Sequence, residues 1–216
     1  MDVSVILSII AVAISGIALI ISWIVVWNNH YSPFNVKIYC GGSPRLEPIP
    51  QQLEDGGTVI RFYATLPLYF ENTGAQDGVI RDIILVVNSD QNKWLFKPAF
   101  YTKYSIKTEP TLGATLTKDP SNEPFYYIHL AGKSMVFKSI VFVPEKHEKF
   151  PFGTNPLSAG NYSFAVGALE VGKEEYKTKL VFNINLNEES IADFSKDIIY
   201  FPFLEEVKDK RQQLSN

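Results

Sequence analysis

From Val3 to Trp27 the chain carries 25 consecutive residues without a charge. At 1.5 Å per residue such a helix is about 37 Å long, enough to cross a hydrocarbon core of about 30 Å with some tilt. Beyond it the period drops to two. In TVIRFYATLPLYFEN (58–72), Ile60, Phe62, Ala64, Leu66, Leu68 and Phe70 share one face, while the other reads Val59, Arg61, Tyr63, Thr65, Pro67 and Tyr69. In EYKTKLVFNINL (175–186), Tyr176, Thr178, Leu180, Phe182, Ile184 and Leu186 alternate with a mostly polar set. Both patterns predict half-buried strands. Pro67 cannot donate to a ladder, so its strand is expected at an edge or bulged there. The same alternation predicts strands at 34–40, 78–88, 93–101, 125–130, 135–143 and 161–169.

Turn chemistry separates these runs. Asn72-Thr73-Gly74 and Gln76-Asp77-Gly78 divide two strands, residues 88–92 the next two, and Gly172-Lys173-Glu174 closes a hairpin. About eight strands with no helical crossovers predict an antiparallel β-sandwich. Residues 41–57 and 107–124 read as long Pro-containing loops. From Asn187 the spacing of Ile191, Phe194 and Ile198 turns helical, with Asn187 as cap, and 204–214 is a charged helix or frayed tail. The expected layout is a tail at 1–2, a transmembrane helix at 3–27, an interfacial linker at 28–33, the β-sandwich at 34–186 and a C-terminal helical tail at 187–216.

Within the span, small residues recur at steps of four and three: Ser4, Ser8, Ala11, Ser15, Ala18 and Ser22. Lipid tails are as apolar as Leu, so helices gain in lipid from close backbone approach rather than hydrophobicity, and a small-residue seam provides it. The seam predicts packing against another transmembrane helix, a second copy or a partner's. In a lone helix the Ser hydroxyls bond back to their own carbonyls instead. Trp23, Trp27 and Tyr31 read as a belt at the membrane interface. A cleaved signal peptide is not expected, because Met1-Asp2 lacks a basic residue and the apolar run is too long. The only flanking cations, Lys37 and Arg45, give a small positive-inside bias towards N-out, C-in. Asn161-Tyr162-Ser163 is a formal glycosylation sequon inside a predicted strand.

The segments LYFENTGAQDGVIRDIILVV and AGNYSFAVGALEVGKEEYKTKLVFNINL resemble paired strands of immunoglobulin-like or fibronectin-like modules. The resemblance rests on Asn72 and Gly74 of an "N-x-G" turn and on Gly160, Tyr162, Phe164 and Val166 of a "G-x-Y-x-F-x-V" opening of the last hairpin. One N-terminal span followed by such a sandwich is also a layout of uncharacterised prokaryotic membrane proteins. The resemblance implies an immunoglobulin-like fold and no activity.

Composition narrows the function. With 20 Lys+Arg against 23 Asp+Glu and no basic cluster, the chain lacks the footprint of nucleic-acid binding. His30, His129 and His147 are isolated from one another, and Cys40 has neither a second thiol nor an adjacent base. Asn88, Asp90 and Asn92 imitate the start of an EF-hand loop, but Lys93 stands where Gly is needed and Ala99 where the bidentate Glu is needed. Asp119, Asn122 and Glu123 read as an ordinary polar turn. No metal or other cofactor, and no catalytic constellation, is expected. The aromatics Trp94, Phe96, Phe100, Tyr101, Tyr104, Phe125, Tyr126 and Tyr127 are either core filler or a surface for a ligand or partner. The expectation is a non-catalytic single-pass membrane protein, with lipid and another transmembrane helix as partners, holding a β-sandwich for interaction or assembly. The alternative is a membrane-tethered sensor or ligand-binding domain that uses the long loops 41–57 and 107–124 over a floor of those aromatics.

Overall fold

No charge and no proline interrupts residues 3–26, so the helical hydrogen-bond ladder runs unbroken after the first turn, and α1 spans Val3–Val26. It continues into a wider turn at Trp27–Tyr31, closed by Ser32 N donating to Trp27 O at 2.9 Å. Pro33, without an N–H, ends it. No residue of α1 is buried against the rest of the chain. This computed structural model describes residues 2–52, 58–89, 93–102, 104–109, 113–118, 123–145, 159–189, 191, 199–200 and 205–206.

Among the described residues fourteen strands follow: β1 (Val36–Cys40), β2 (Arg45–Gln52), β3 (Thr58–Asn72), β4 (Gly78–Asn88), β5 (Lys93–Tyr101), β6 (Tyr104–Glu109), β7 (Gly113–Lys118), β8 (Glu123–Pro124), β9 (Ile128–Leu130), β10 (Met135–Pro144), β11 (Gly160–Glu170), β12 (Lys177–Leu186), β13 (Ile199–Tyr200) and β14 (Glu205–Glu206). Apart from β6 and β7, which pair with each other, they form one 12-stranded antiparallel sheet in the order β13-β2-β3-β10-β5-β4-β11-β12-β14, with β1 on β3, β8 on β5 and β9 on β4. The sheet is continuous because β5 changes partner along its length. Lys93–Phe96 pairs with β4, and Phe96–Tyr101 pairs with β10, with a register shift beside Val141 and Phe142. At the far side β1 runs beside β12 without a ladder, so the sheet nearly closes into a barrel.

The predicted inward positions of β3 and β12 fill the interior: Phe62, Ala64, Leu66, Leu68 and Phe70 meet Leu180, Phe182, Ile184 and Leu186. Phe164 and Phe182 stack at 5.2 Å between ring centres. The opposite faces are less watery than the alternation predicts. Ile84, Val86, Ala165 and Val181 form a second buried cluster there, and Thr65 is fully buried.

Pro67 lies on a central strand rather than at an edge, and no bulge accommodates it. β10 pairs with β3 on one side, Ser139 opposite Pro67. On the other side β2 ends at Arg45 opposite Thr65, and β1 ends at Cys40 opposite Leu68. Pro67 O accepts from Gly41 N at 2.8 Å, so the missing N–H of Pro67 points into the gap where the chain passes from β1 to β2. Two of the predicted loops also contain strands. The 41–57 segment holds β2, whose Pro48 and Pro50 fall two apart and so leave their absent donors on one side. The 107–124 segment contributes to the β6–β7 hairpin and to β8. Glu188, Glu189 and Ile191 are helical, with Ile191 N donating to Asn187 O at 3.1 Å. Of 204–214, expected as a charged helix or a frayed tail, Glu205–Glu206 are extended and pair with Phe182 and Asn183 of β12. Phe194, Ile198 and 207–214 lie outside the described residues.

Candidate functional site

The seam residues sit on α1 in backbone-linked pairs. Ser8 Oγ donates to Ser4 O at 2.9 Å, Ser15 Oγ to Ala11 O at 2.8 Å, and Ser22 Oγ to Ala18 O at 2.8 Å. Every seam hydroxyl after Ser4 therefore spends its proton inside its own helix. The belt residues stack along the last turns, with Trp23 and Trp27 ring centres 6.5 Å apart and Trp27 and Tyr31 6.0 Å apart. At 3.6 residues per turn Trp23 and Trp27 stand roughly 120° round the helix from the seam.

Where the wide turn after α1 meets the β domain, three segments are knitted into a collar. Ser32 O accepts from Ala75 N at 3.0 Å and Gln76 N at 3.1 Å, and Ser32 Oγ accepts from Ala75 N at 2.8 Å. A Cβ on Gly74 would stand 1.9 Å from Pro33 O, and one on Gly78 would strike the Phe34 ring, so both glycines admit the linker. Asn72, only 1% exposed, is the hub. Its Oδ1 accepts from Gly74 N at 3.0 Å and Asn35 N at 3.3 Å, while its Nδ2 donates to Gln76 O at 2.8 Å and Ala131 O at 3.0 Å. The β9–β10 turn joins through Lys133 N donating to Gly74 O at 2.8 Å and Gly132 N donating to Asp77 Oδ1 at 2.8 Å. Sequence reasoning marked Asn72 only as a turn residue; the N-x-G spacing was the signal for its Asx turn, but nothing local announced its distant partners.

The predicted aromatics do not make one surface. Trp94, Phe96 and Tyr101 belong to the core, Trp94 stacking on Tyr162 at 6.0 Å and Phe96 touching Phe62 at 5.1 Å. Phe100 and Phe125 are half-buried, whereas Tyr126 and Tyr127 are exposed. Tyr104 starts β6, and its side chain lies outside the described residues. Tyr101 OH donates to Tyr127 O at 3.2 Å, and burial, with the nearby Glu123 carboxylate, pushes its phenol up to about 12.

Two polar clusters escaped the sequence reading. On β2 and β3, buried Glu47 accepts from Tyr63 OH at 2.6 Å and from Thr65 Oγ1 at 3.3 Å. Burial and the Glu47 carboxylate raise the Tyr63 phenol to about 12. Where β5 leaves β4, Asp82 accepts from Tyr176 OH and, at 3.2 Å, from Lys97 Nζ. Burial and the hydrogen bond to Asp82 raise the Tyr176 phenol. Burial pulls Lys97 down, but Tyr176 and Asp82 outweigh it and hold the ammonium above its usual value. Both groups keep their protons near neutrality, and the trio links β4 and β5 to the residue that leads into β12.

His30 lies in the wide turn and His129 is exposed on β9. Cys40 donates to Gly42 O at 3.1 Å, and burial pushes its thiol up, away from nucleophilic behaviour. Among the described residues no three His, Cys, Asp or Glu are grouped to hold a metal ion. His147, Asp90, Asn92, Asp119 and Asn122 lie outside the described residues. Asn88 and Glu123 end β4 and open β8. At the end of the β domain away from the collar, Asn88, Asn161, Ser163, Asn183 and Asn185 line a shallow polar concavity, with Asn185 Nδ2 donating to Asn161 Oδ1 at 2.6 Å. Asn161 of the sequon is exposed there, while Tyr162 points into the core. No family model, curated protein or solved structure matches this chain.

Proposed function

We propose that this chain is a non-catalytic single-pass membrane protein that presents an immunoglobulin-like β domain for interaction or assembly, with its span packed laterally against a second helix. The observation that carries the reading is α1 itself: a helix with mean hydropathy 2.8, none of it buried by its own β domain. Its apolar surface is stable only against lipid or another apolar helix. The immunoglobulin-like reading is supported by strand order. β1-β3-β10 stand on one side and β4-β11-β12 on the other, with β5 bridging them.

Lateral packing rests on close approach at the seam rather than on Ser–Ser bonds, since the hydroxyl protons are already engaged. The charge bias of Lys37 and Arg45 favours the β domain on the cytoplasmic side. Two measurements test these statements. A transmembrane-association reporter compares the natural span with one carrying Ser8, Ala11, Ser15 and Ala18 changed to Leu; equal signals would remove the lateral partner. Protease added outside intact cells should spare the β domain and digest it only after lysis; digestion before lysis reverses the orientation.

A further inference from the structure

We infer that the collar is a membrane-apposed surface: the β3–β4 turn (73–77) and β9–β10 turn (131–134) lie in the phospholipid headgroup layer and hold the β domain flush on the bilayer. This rests on the membrane-spanning reading of α1. Tyr31 ends the aromatic belt that marks the interface, and Ser32 follows it by one Cα step of about 3.8 Å. Ala75 and Gln76 donate directly to Ser32 at 3.0 and 3.1 Å, leaving no slack between span and domain. The headgroup layer is roughly 5–7 Å thick on each side of the hydrocarbon. Whatever is hydrogen-bonded to Ser32 therefore falls inside it.

The chemistry of the turns matches that layer and not the hydrocarbon beneath. The exposed positions are Gln76, Asp77, Ala131 and Lys133, with no large apolar side chain among them. Asp77 is held by Gly132 N, and Lys133 Nζ donates to Thr73 O at 2.9 Å, which places an ammonium where lipid phosphates lie. Lys133 takes a left-handed backbone, φ 56°, because the turn is pinned on both sides, by Lys133 N to Gly74 O and by Asn72 N to Ser134 O.

The test is spin-label accessibility on the full chain in phosphatidylcholine nanodiscs, in a Cys40→Ser background, with single labels at Ala13→Cys, on the face of α1 opposite the seam, and at Gln76→Cys, Lys133→Cys and Asn185→Cys. The expected result is an oxygen-accessible Ala13 label, Gln76 and Lys133 labels several-fold less accessible to an aqueous nickel chelate than the Asn185 label, and a freely aqueous Asn185 label. A lipid-embedded Ala13 label with collar labels as aqueous as Asn185 overturns this inference alone. An Ala13 label outside lipid overturns the spanning reading and this inference together.

Discussion

Asn72 Nδ2 donates to Ala131 O at 3.0 Å across 59 positions of sequence, joining the end of β3 to the turn before β10. The same amide holds Gln76 O, and its oxygen holds Gly74 N and Asn35 N. Asn72→Ala strips partners from four backbone groups in a nearly waterless place. The expected loss is about 3 kcal/mol of stability, since each orphaned buried group costs roughly 1–3 kcal/mol and relaxation recovers part. Thermal unfolding in detergent, followed by circular dichroism, measures it; a change below about 1 kcal/mol would show that water replaces the amide.

Gly74 meets the linker backbone rather than a movable side chain. Gly74→Ala puts a methyl 1.9 Å from where Pro33 O now stands, so the linker must leave its seat. The β domain should stay folded at a cost of about 1–3 kcal/mol, with new protease cleavage between Tyr31 and Asn35. An uncut linker would mean that the collar shifts as a unit.

The seam separates size from hydrogen bonding. Ser8, Ser15 and Ser22 donate backward to Ser4, Ala11 and Ala18, so Ser→Ala at all three should leave the proposed lateral packing unchanged, whether against a second copy or a partner's helix. Ser→Leu at the same positions should abolish it. If Ala weakens the association reporter as much as Leu does, interhelical hydroxyl bonds and not proximity carry the contact.

Alkaline pH should expose two phenols, half-buried Tyr63 and buried Tyr101. Tyr63 and Tyr101, ordinarily near 10, hold their protons to about 12 in the fold. Below pH 10 folded and unfolded chains both keep these protons. Between 10 and about 12 only the unfolded chain releases them, so the stability the two phenols contribute is lost as pH rises through that window. Absorbance at 295 nm should show a late tyrosine phase that shrinks in Tyr63→Phe and again in Tyr101→Phe. A single phase near 10 would contradict the buried geometry.

Local alternation carried most of the β domain. β3, β4 and β5 begin and end where period two predicts, and the β11–β12 hairpin turns at Gly172 as its chemistry requires. Non-local facts were illegible. Pro67 reads as an edge residue because sequence cannot reveal that the chain opposite it is passing between two strands. Pro48 and Pro50 disguise β2 as a loop, although beyond Leu46 its described ladder runs to β3 alone and so needs donors on one side only. The collar was hidden for the same reason: Asn72, Ala131 and Ser32 each look like ordinary loop positions, and only the fold brings them together. Trp94 and Tyr126 belong to one compositional class, yet one fills the core and the other faces solvent.

The welded exit of α1 gives the wide turn at Trp27–Tyr31 a further meaning. A span on a slack tether could swivel against a neighbour without turning what it carries. On the proposed reading, in which the span packs against a second helix, the azimuth chosen by helix crossing in the lipid dictates which flank of the β domain faces that neighbour, so geometry outside the bilayer is decided within it.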